Sequence, residues 1–139
     1  MNLLPGIDVT SDALNAEKIR LEVIGQNIAN AHTTRGPNGL AYQRKVVTFE
    51  TELQRVAGET GPNVTGVRVA AITADPSLGD LVYQPGHPHA DANGMVRLPN
   101  VKLAQEMVDM IAASRAYEAN LSVVPTARQM AKRALAIGK

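Results

Sequence analysis

The sequence predicts an α+β protein with long amphipathic helices at its N- and C-terminal ends and a small β-rich segment between them. Apolar residues recur every seven positions in both end zones, which is typical of helices that pair as a coiled-coil-like element. The middle consists of short Val-rich runs separated by Gly, Pro and Asn, which favours strands and turns. The 139 residues match the length of about one domain. We assign 1–34 to the N-terminal helix, 35–98 to the β-rich middle segment and 99–139 to the C-terminal helix.

The N-terminal helix is predicted from about Asp8 to Asn30. Its apolar stripe repeats every seven residues and contains Ile7, Leu14, Leu21 and Ile28. Asp8 or Thr10 is the predicted N-cap, because either side chain can accept a hydrogen bond from a free N–H of the first turn. The segment 33–39 contains two glycines and a proline, so we expect it to stop the helix.

Short strands are predicted in the middle segment over 42–50, 64–73, 81–83 and 95–98. Asn93-Gly94 favours a two-residue turn, because Gly tolerates a positive φ angle. Residues 58–66 show no apolar periodicity, and we expect them to form a mobile loop.

The C-terminal helix is predicted over 101–137, with Asn100 as its N-cap and Gly138 at its end. Two interleaved heptad series form its apolar stripe, and their large members include Leu103, Met107, Met110, Tyr117, Leu121, Val124 and Leu135. Pro125 lies within this stripe, and a proline in a helix interior removes a hydrogen bond at a cost of about 3 kcal/mol. We therefore expect a kink near Leu121 or a bend that neighbouring subunits hold in place.

The composition excludes several classes of function. The 14 Lys and Arg are interspersed with 13 Asp and Glu for a net charge of +1, which argues against a nucleic-acid-binding surface. The chain has no Cys, so disulfides, thiolate nucleophiles and Cys-ligated metals are excluded. No apolar run approaches the roughly 20 residues of a membrane-spanning helix, and the N-terminus lacks the pattern of a secretory signal. Motifs for phosphate binding or hydrolysis are missing from the sequence, so we expect no cofactor and no small-molecule substrate.

One motif is a candidate for catalysis. His87-Pro88-His89-Ala90-Asp91 has a spacing that can present two imidazoles and a carboxylate to one metal ion. A hydrolytic zinc site would need further ligands or a base from elsewhere in the chain. We interpret the motif as a solvated turn between two strands, and we keep a metal-dependent hydrolase that uses His87 and His89 as an alternative.

Polar residues also lie beside the apolar stripe at the end of the first helix. Asn27, Asn30 and Thr33 place two amides and a hydroxyl there. Asn tolerates the left-handed conformation and its side chain can satisfy free carbonyls, which favours C-capping. A role in hydrogen bonding between subunits stays open.

Large core side chains are scarce, because aromatic residues make up 3% of the chain. Such a chain either packs Ala-rich helices closely or completes its core with other subunits, and we favour the second. A heptad stripe predicts a seam but does not identify the partner, which could be the chain's own first helix, a further copy or another protein. A soluble helical adaptor that binds a partner helix is therefore an alternative function.

Several motifs in order resemble the bacterial flagellar rod and hook protein family, most closely its proximal-rod type. Asn27–Ala31, followed by Thr33 and Thr34, is similar to the N-terminal signature of that family. Further similar segments are 36–39, 82–88, 90–94, 98–101, 106–108, 113–120 and 135–139. The resemblance therefore covers nearly the whole chain.

This resemblance implies a non-enzymatic building block of the rod that crosses the periplasm from the membrane-embedded ring to the hook. In such proteins the paired terminal helices form an inner tube and the middle segment faces outward. The implied partners are other rod proteins, further copies of the chain and neighbouring basal-body components, with no direct membrane span. Localisation in the flagellar basal body and export through the flagellar type III channel are implied as well, and this export route agrees with the missing secretory signal.

The isolated monomer is expected to have frayed ends. A single buried apolar stripe contributes less free energy than ordering so long a helix costs, so both end helices need neighbours on more than one face. We therefore predict rapid trypsin cleavage near both termini. Limited digestion combined with circular dichroism checks this, and a purified monomer with the full helical signal and resistant termini would contradict it.

Overall fold

A computed structural model of the chain describes residues 5–54 and 63–137, and in these ranges two long helices flank a β-rich middle. In chain order the elements are α1 (Pro5–Ala29), β1 (Lys45–Gln54), β2 (Asn63–Ala74), β3 (Leu81–Tyr83), β4 (Met95–Arg97) and α2 (Leu103–Ile137). The predicted α+β class and the predicted order of elements are therefore confirmed.

The predicted N-caps are wrong for both helices. Asp8 and Thr10 lie inside α1, because the described helix already begins at Pro5, where the fixed φ of proline suits a first turn. Asn100 precedes the first residue of α2 by three positions, and its side chain bonds to other loops. The main-chain bond from Glu106 N to Lys102 O, at 3.0 Å, instead opens the helix at Lys102. The predicted end at Gly138 lies outside the described residues.

The end of α1 agrees with its turn signal. Asn30 N donates to Gln26 O at 3.1 Å, and Thr33 N donates to Asn30 O at 3.0 Å. A tight turn follows, in which Gly39 N donates to Gly36 O at 3.0 Å and Gly39 has a φ of 78°. A left-handed φ carries little cost for glycine, which is why this turn can reverse the chain so soon after the helix.

β1 and β2 form one antiparallel sheet and β3 and β4 form another within the described ranges. β1 begins later than predicted, because the backbone N–H groups of Tyr42 and Arg44 donate to Thr33 O and to the side chain of Asn100. β2 begins at Asn63, so residues 63–66 belong to a strand and not to the predicted loop. The rest of that loop, 58–62, lies outside the described residues.

The loop between β3 and β4 has the bounds that the predicted strands at 81–83 and 95–98 left for it. Leu81 pairs with Arg97, Val82 with Val96 and Tyr83 with Met95, which leaves 84–94 as the connection. The Asn93-Gly94 turn is present at the end of this loop: Gly94 has a φ of 75°, and Gly94 N donates to Asp91 O at 2.9 Å. The predicted turn at Asn93-Gly94 is therefore present.

α2 continues as a helix through Pro125. Hydroxyl groups accompany the proline: Ser122 Oγ donates to Ala119 O at 2.7 Å, and Thr126 Oγ1 donates to Ser122 O at 2.9 Å. Such side-chain bonds to carbonyls of the preceding turn often accompany bends. The expected kink near Leu121 stays a prediction. Neither α1 nor α2, as described, contains a stretch apolar enough to cross a membrane.

The chain divides into two compact units, each of which contains parts of both helices. Unit 1 comprises the chain up to Leu21, Thr48–Ala71 and the chain from Ala112, and unit 2 comprises Glu22–Val47 and Ile72–Ile111. Among the described residues, the buried side chains of unit 1 include Ala16 and Ala113, and those of unit 2 include Val23, Ile24, Val96, Asn27 and Glu106. The predicted three-part division at 34 and 98 stays a prediction.

Gly79 is expected to tolerate no side chain. A Cβ at this position would collide with Leu98 O and lie 2.8 Å from the carbonyl carbon of Pro99, both of which belong to the backbone. We predict that Gly79→Ala lowers the free energy of unfolding by about 2 kcal/mol, because the two loop backbones must separate. Gly86→Ala is the matched control, since a Cβ there meets nothing within 4 Å. Urea titration of both variants tests this, and equal midpoints would contradict it.

Candidate assembly site

Asn27 of α1 is a buried side chain of unit 2 that makes four hydrogen bonds. It is 1% exposed and uses its whole amide group inside the chain. Its Nδ2 donates to Lys45 O at 2.9 Å and to Glu106 Oε2 at 3.0 Å. Its Oδ1 accepts from Tyr42 Oη at 3.0 Å and from Lys45 N at 2.9 Å. The amide therefore links α1 to the start of β1 and to the first turns of α2.

Glu106 is the second centre of this arrangement. Its residue surface is 0% exposed, although it carries a carboxylate. Arg44 Nε donates to Glu106 Oε1 at 2.5 Å, and Arg44 Nη2 donates to Asp109 Oδ2 at 3.4 Å. A buried carboxylate is stable only with a counter-charge and hydrogen-bond donors, and Arg44 and Asn27 supply both. We call Asn27, Tyr42, Arg44, Lys45, Asn100, Glu106 and Asp109 the polar network.

Asn100 connects the polar network to the loop after β2. Its Oδ1 accepts from Arg44 N at 2.6 Å, and its Nδ2 donates to Ser77 O at 2.9 Å and to Asp75 O at 3.2 Å. Asp75 N also donates to Arg44 O at 2.7 Å. Both the backbone N–H and the backbone carbonyl of Arg44 are therefore hydrogen-bonded. These bonds fix the backbone and so position the guanidinium against Glu106.

The surroundings of the polar network shift two pKa values. Burial, and then the negative charge of Glu106, raise the pKa of the Tyr42 phenol above its usual 10.0. The phenol therefore stays protonated at neutral pH and can donate to Asn27. Hydrogen bonds from the hydroxyl and the backbone N–H of Ser77 lower the pKa of Asp75 below 3.8. The bonds to Asp75 are therefore fully present at neutral pH and are lost only as the pH falls through that lowered pKa.

Asn30 and Thr33 lie where C-capping was expected. Asn30 Nδ2 donates to Gln26 O, a carbonyl of the last turn of α1, at 2.8 Å. Thr33 Oγ1 donates to Asn30 Oδ1 at 3.2 Å. These bonds satisfy polar groups at the helix end, as C-capping requires. Asn27 differs, since its amide bonds to β1 and α2 and not to the carbonyls at the helix end.

The apolar residues predicted for assembly have different exposures in the single chain. Half-buried positions are Leu14, Leu21, Ile28, Met110, Tyr117 and Val124. Exposed positions are Leu103 at 37%, Met107 at 50%, Leu121 at 53% and Leu135 at 74%. The side chain of Ile7 lies outside the described part of α1. Their role as an assembly interface stays a prediction.

The face of α2 that is buried inside the chain is rotated from the predicted stripe. Glu106 and Ala113 are each 0% exposed, whereas Leu103 and Met107 are exposed. Hydrophobic periodicity alone could not find this face, because it begins with a charged residue and continues with alanine. The position of Glu106 was nevertheless a signal. Glu106 lies four residues before Met110 and seven before Ala113, so its carboxylate is on the same, apolar side of the helix.

The roles of Arg44, Tyr42 and Asn100 in the polar network were not predicted from the sequence. Each lies in a loop or at an element end, and its partner is distant in sequence: Arg44 and Glu106 are 62 residues apart. Isolated polar residues in loops carry no periodicity that would reveal such pairing. Only the tertiary structure brings these groups together.

His87 and His89 lie in the loop between β3 and β4. Their ring centroids are 5.3 Å apart, and His89 N donates to His87 Nδ1 at 3.1 Å. His89 Nδ1 shares a hydrogen bond of 2.8 Å with Thr34 Oγ1, which joins this loop to the loop after α1. Across 5–54 and 63–137, no three His, Asp or Glu side chains are grouped so that they could hold a metal ion. The described geometry thus supports a role in joining loops.

Comparisons with known proteins agree at both ends of the chain and along its length. A family model described as flagella basal body rod protein matches residues 7–37, and one described as flagellar basal body rod FlgEFG protein C-terminal matches residues 92–137. The flagellar basal-body rod protein FlgC of Yersinia enterocolitica is 44% identical over 139 residues, covering all of both chains. FlgC of Borreliella burgdorferi is 43% identical, covering 99% of this chain and 98% of its own. FlgC of Salmonella typhimurium is 40% identical over the full length of both.

Terminal helices that match these models on either side of a small β segment define a flagellar basal-body rod protein. The identity over the full length makes the assignment more specific. The chain belongs to the FlgC family of flagellar basal-body rod proteins.

Removal of the Glu106 carboxylate is expected to be strongly destabilising. Glu106→Ala leaves the Arg44 guanidinium and the Asn27 amide without their partner, and breaking one side of a buried pair costs about 3 kcal/mol. Glu118→Ala, at an exposed carboxylate of the same helix, should change stability by less than about 0.5 kcal/mol. Thermal and urea unfolding of both variants test this. Similar losses in the two variants would show that burial of Glu106 is unimportant.

Proposed function

We propose that the chain is a structural subunit of the proximal rod of the flagellar basal body. It assembles with further copies of itself and with other rod proteins through its terminal helices. The contacts build a helical tube that transmits torque for motility. It has no enzymatic role, and it reaches its place through the flagellar type III export channel. Membership of the FlgC family supports the role as a rod subunit, and the exposed apolar surface of α2 supports assembly through the terminal helices.

The apolar outer face of α2 is the observation that carries this proposal. Leu103, Met107, Val108 and Ile111 lie within two and a half turns and are 37%, 50%, 60% and 56% exposed. Positions at i, i+4, i+5 and i+8 lie on one side of a helix. A contiguous apolar patch on a water-exposed surface usually marks an interaction site. The patch therefore supports docking of a neighbouring subunit on the exposed apolar side of α2.

A rod follows from the type of contact that such helices can make. A contact between two different faces of identical subunits is heterologous, and it builds an open helix when its rotation does not close. The helices of each subunit then pack against several neighbouring subunits, so many apolar contacts share the torque. The half-buried Leu14, Leu21 and Ile28 of α1 are available as the facing stripe.

Leu121→Asp is expected to abolish motility without unfolding the subunit. Leu121 is 53% exposed, so an aspartate there meets water in the single chain but would be an unpaired charge in an assembled seam. Swarming on soft agar measures the effect, with immunoblotting to verify a normal protein level. Ser122→Asp adds the same charge at the next, exposed position and should retain most of the motility.

Fractionation separates the rod proposal from its alternatives. A rod subunit sediments with basal bodies extracted in detergent, whereas a soluble adaptor or a hydrolase stays in the supernatant. Leu121→Asp protein should move to the supernatant. Normal swarming of this variant, or wild-type protein that is missing from basal bodies, would contradict the proposal.

A further inference from the structure

Glu17 of α1 has an unsatisfied carboxylate oxygen. Its Oε2 is buried and accepts no hydrogen bond from any residue in 5–54 or 63–137. Arg20 forms an ion pair with this oxygen, but its Nη1 lies 3.8 Å away, too far for a hydrogen bond. The glutamate side chain is 17% exposed. A buried carboxylate oxygen without a hydrogen-bond donor is unfavourable, because it has lost contact with water without gaining a donor in exchange.

The same glutamate lines an open pocket of unit 1. The pocket has an empty volume of about 330 Å³ and is lined by Ala13, Ala16, Glu17, Phe49, Val67 and Asn120. Most of this lining is apolar, and one carboxylate faces it. Long cationic side chains fit such surroundings, because an apolar stem can pack against the walls while the charged head meets the carboxylate. The pocket therefore fits a Lys or Arg side chain.

The last part of α2 carries cations without anions. All 13 carboxylates of the chain lie at or before Glu118, whereas Arg128, Lys132, Arg133 and Lys139 follow it. Arg128 and Lys132 are four residues apart, so they lie on one side of the helix, and both are exposed. No Asp or Glu lies three or four positions from either residue. Like charges at this spacing repel each other, and a carboxylate from outside the helix would relieve the repulsion.

We infer that the Arg128 and Lys132 side of α2 in one copy docks at the Glu17 pocket of a second copy. The inference rests on the proposed rod function, and it identifies two faces of a contact between subunits. Both faces belong to the same chain, but Glu17 Oε2 receives no hydrogen bond from the described residues and has only the distant Arg20 as a cation, while Arg128 and Lys132 are exposed to water. The charges are complementary, which selects a further copy as the occupant. Because the two faces differ, the contact is heterologous and can be repeated along a filament.

Charge reversal tests this contact on the full-length chain. Sedimentation velocity at rising protein concentration measures self-association, and added salt should weaken it. We expect Glu17→Lys, and separately the pair Arg128→Glu with Lys132→Glu, to weaken association about tenfold, because each variant places like charges in contact. Mixing the two variants should restore association, since one supplies an intact pocket and the other an intact basic side.

Matched controls keep the test specific. Arg133→Glu makes the same charge change on the same helical end, but 100° or more around the axis, and should associate as the wild type does. Glu17→Gln keeps the shape of the side chain and should weaken association less than Glu17→Lys; circular dichroism verifies that each variant is folded. Equal effects of Arg133→Glu and of the Arg128/Lys132 pair would overturn the inference, as would a wild-type chain that stays monomeric.

A different binding partner for the Arg128 and Lys132 side of α2 would give different experimental results. If the basic side serves an anionic membrane, the Arg128/Lys132 pair variant loses binding to phosphatidylserine vesicles while self-association is unchanged, and the inference is overturned. Incorporation into basal bodies separates this inference from the proposed function. Wild-type protein present in basal bodies, together with unaltered association and incorporation of both charge-reversal variants, would overturn the contact alone. Absence of the wild-type protein from basal bodies would instead overturn the rod function.

Discussion

Burial of the Glu106 charge is the constraint on which unit 2 depends. A carboxylate with no exposed surface requires a counter-charge and hydrogen-bond donors, and it finds them in Arg44 and Asn27. These residues belong to α2, the segment before β1, and α1. One side chain therefore holds three segments of the chain in place. Apolar contacts are not directional, so a polar network of this kind can specify the register that a surface of alanines and valines leaves open.

The polar network also determines which side of α2 carries the exposed apolar residues. With Glu106 turned inward, Leu103, Met107 and Ile111 lie on the outer side of the helix. Exposure of such an apolar surface to water is unfavourable, and a neighbouring subunit can cover it. The two sides of the same helix thus have different uses: the inner side orders the single chain, and the outer side supports the proposed assembly. The Glu17 pocket would add a directional polar contact to that assembly.

The outcomes at particular elements show which signals were reliable. β3 was predicted with its observed ends, and the Gly36–Gly39 turn was predicted correctly, because both depend on local backbone preferences. The caps of both helices were wrong, because Asp, Thr and Asn can bond to many neighbouring groups and the competition is decided elsewhere in the fold. Asn100 is the clearest case, since its amide bonds to Arg44 and Ser77 and not to the first turn of α2.

Local sequence patterns were sufficient to predict the α+β class, the order of the elements and the similarity to rod proteins, because periodicity and motif order are properties of neighbouring residues. They also placed the capping group Asn30 and the turn at Gly94. Only the tertiary structure decided which side of each helix is buried, and it made Glu106, Arg44 and Asn27 one network. The physical reason is that a charged group can be buried only where distant segments meet to neutralise it, and the pairing of residues 62 and 79 positions apart leaves no local pattern.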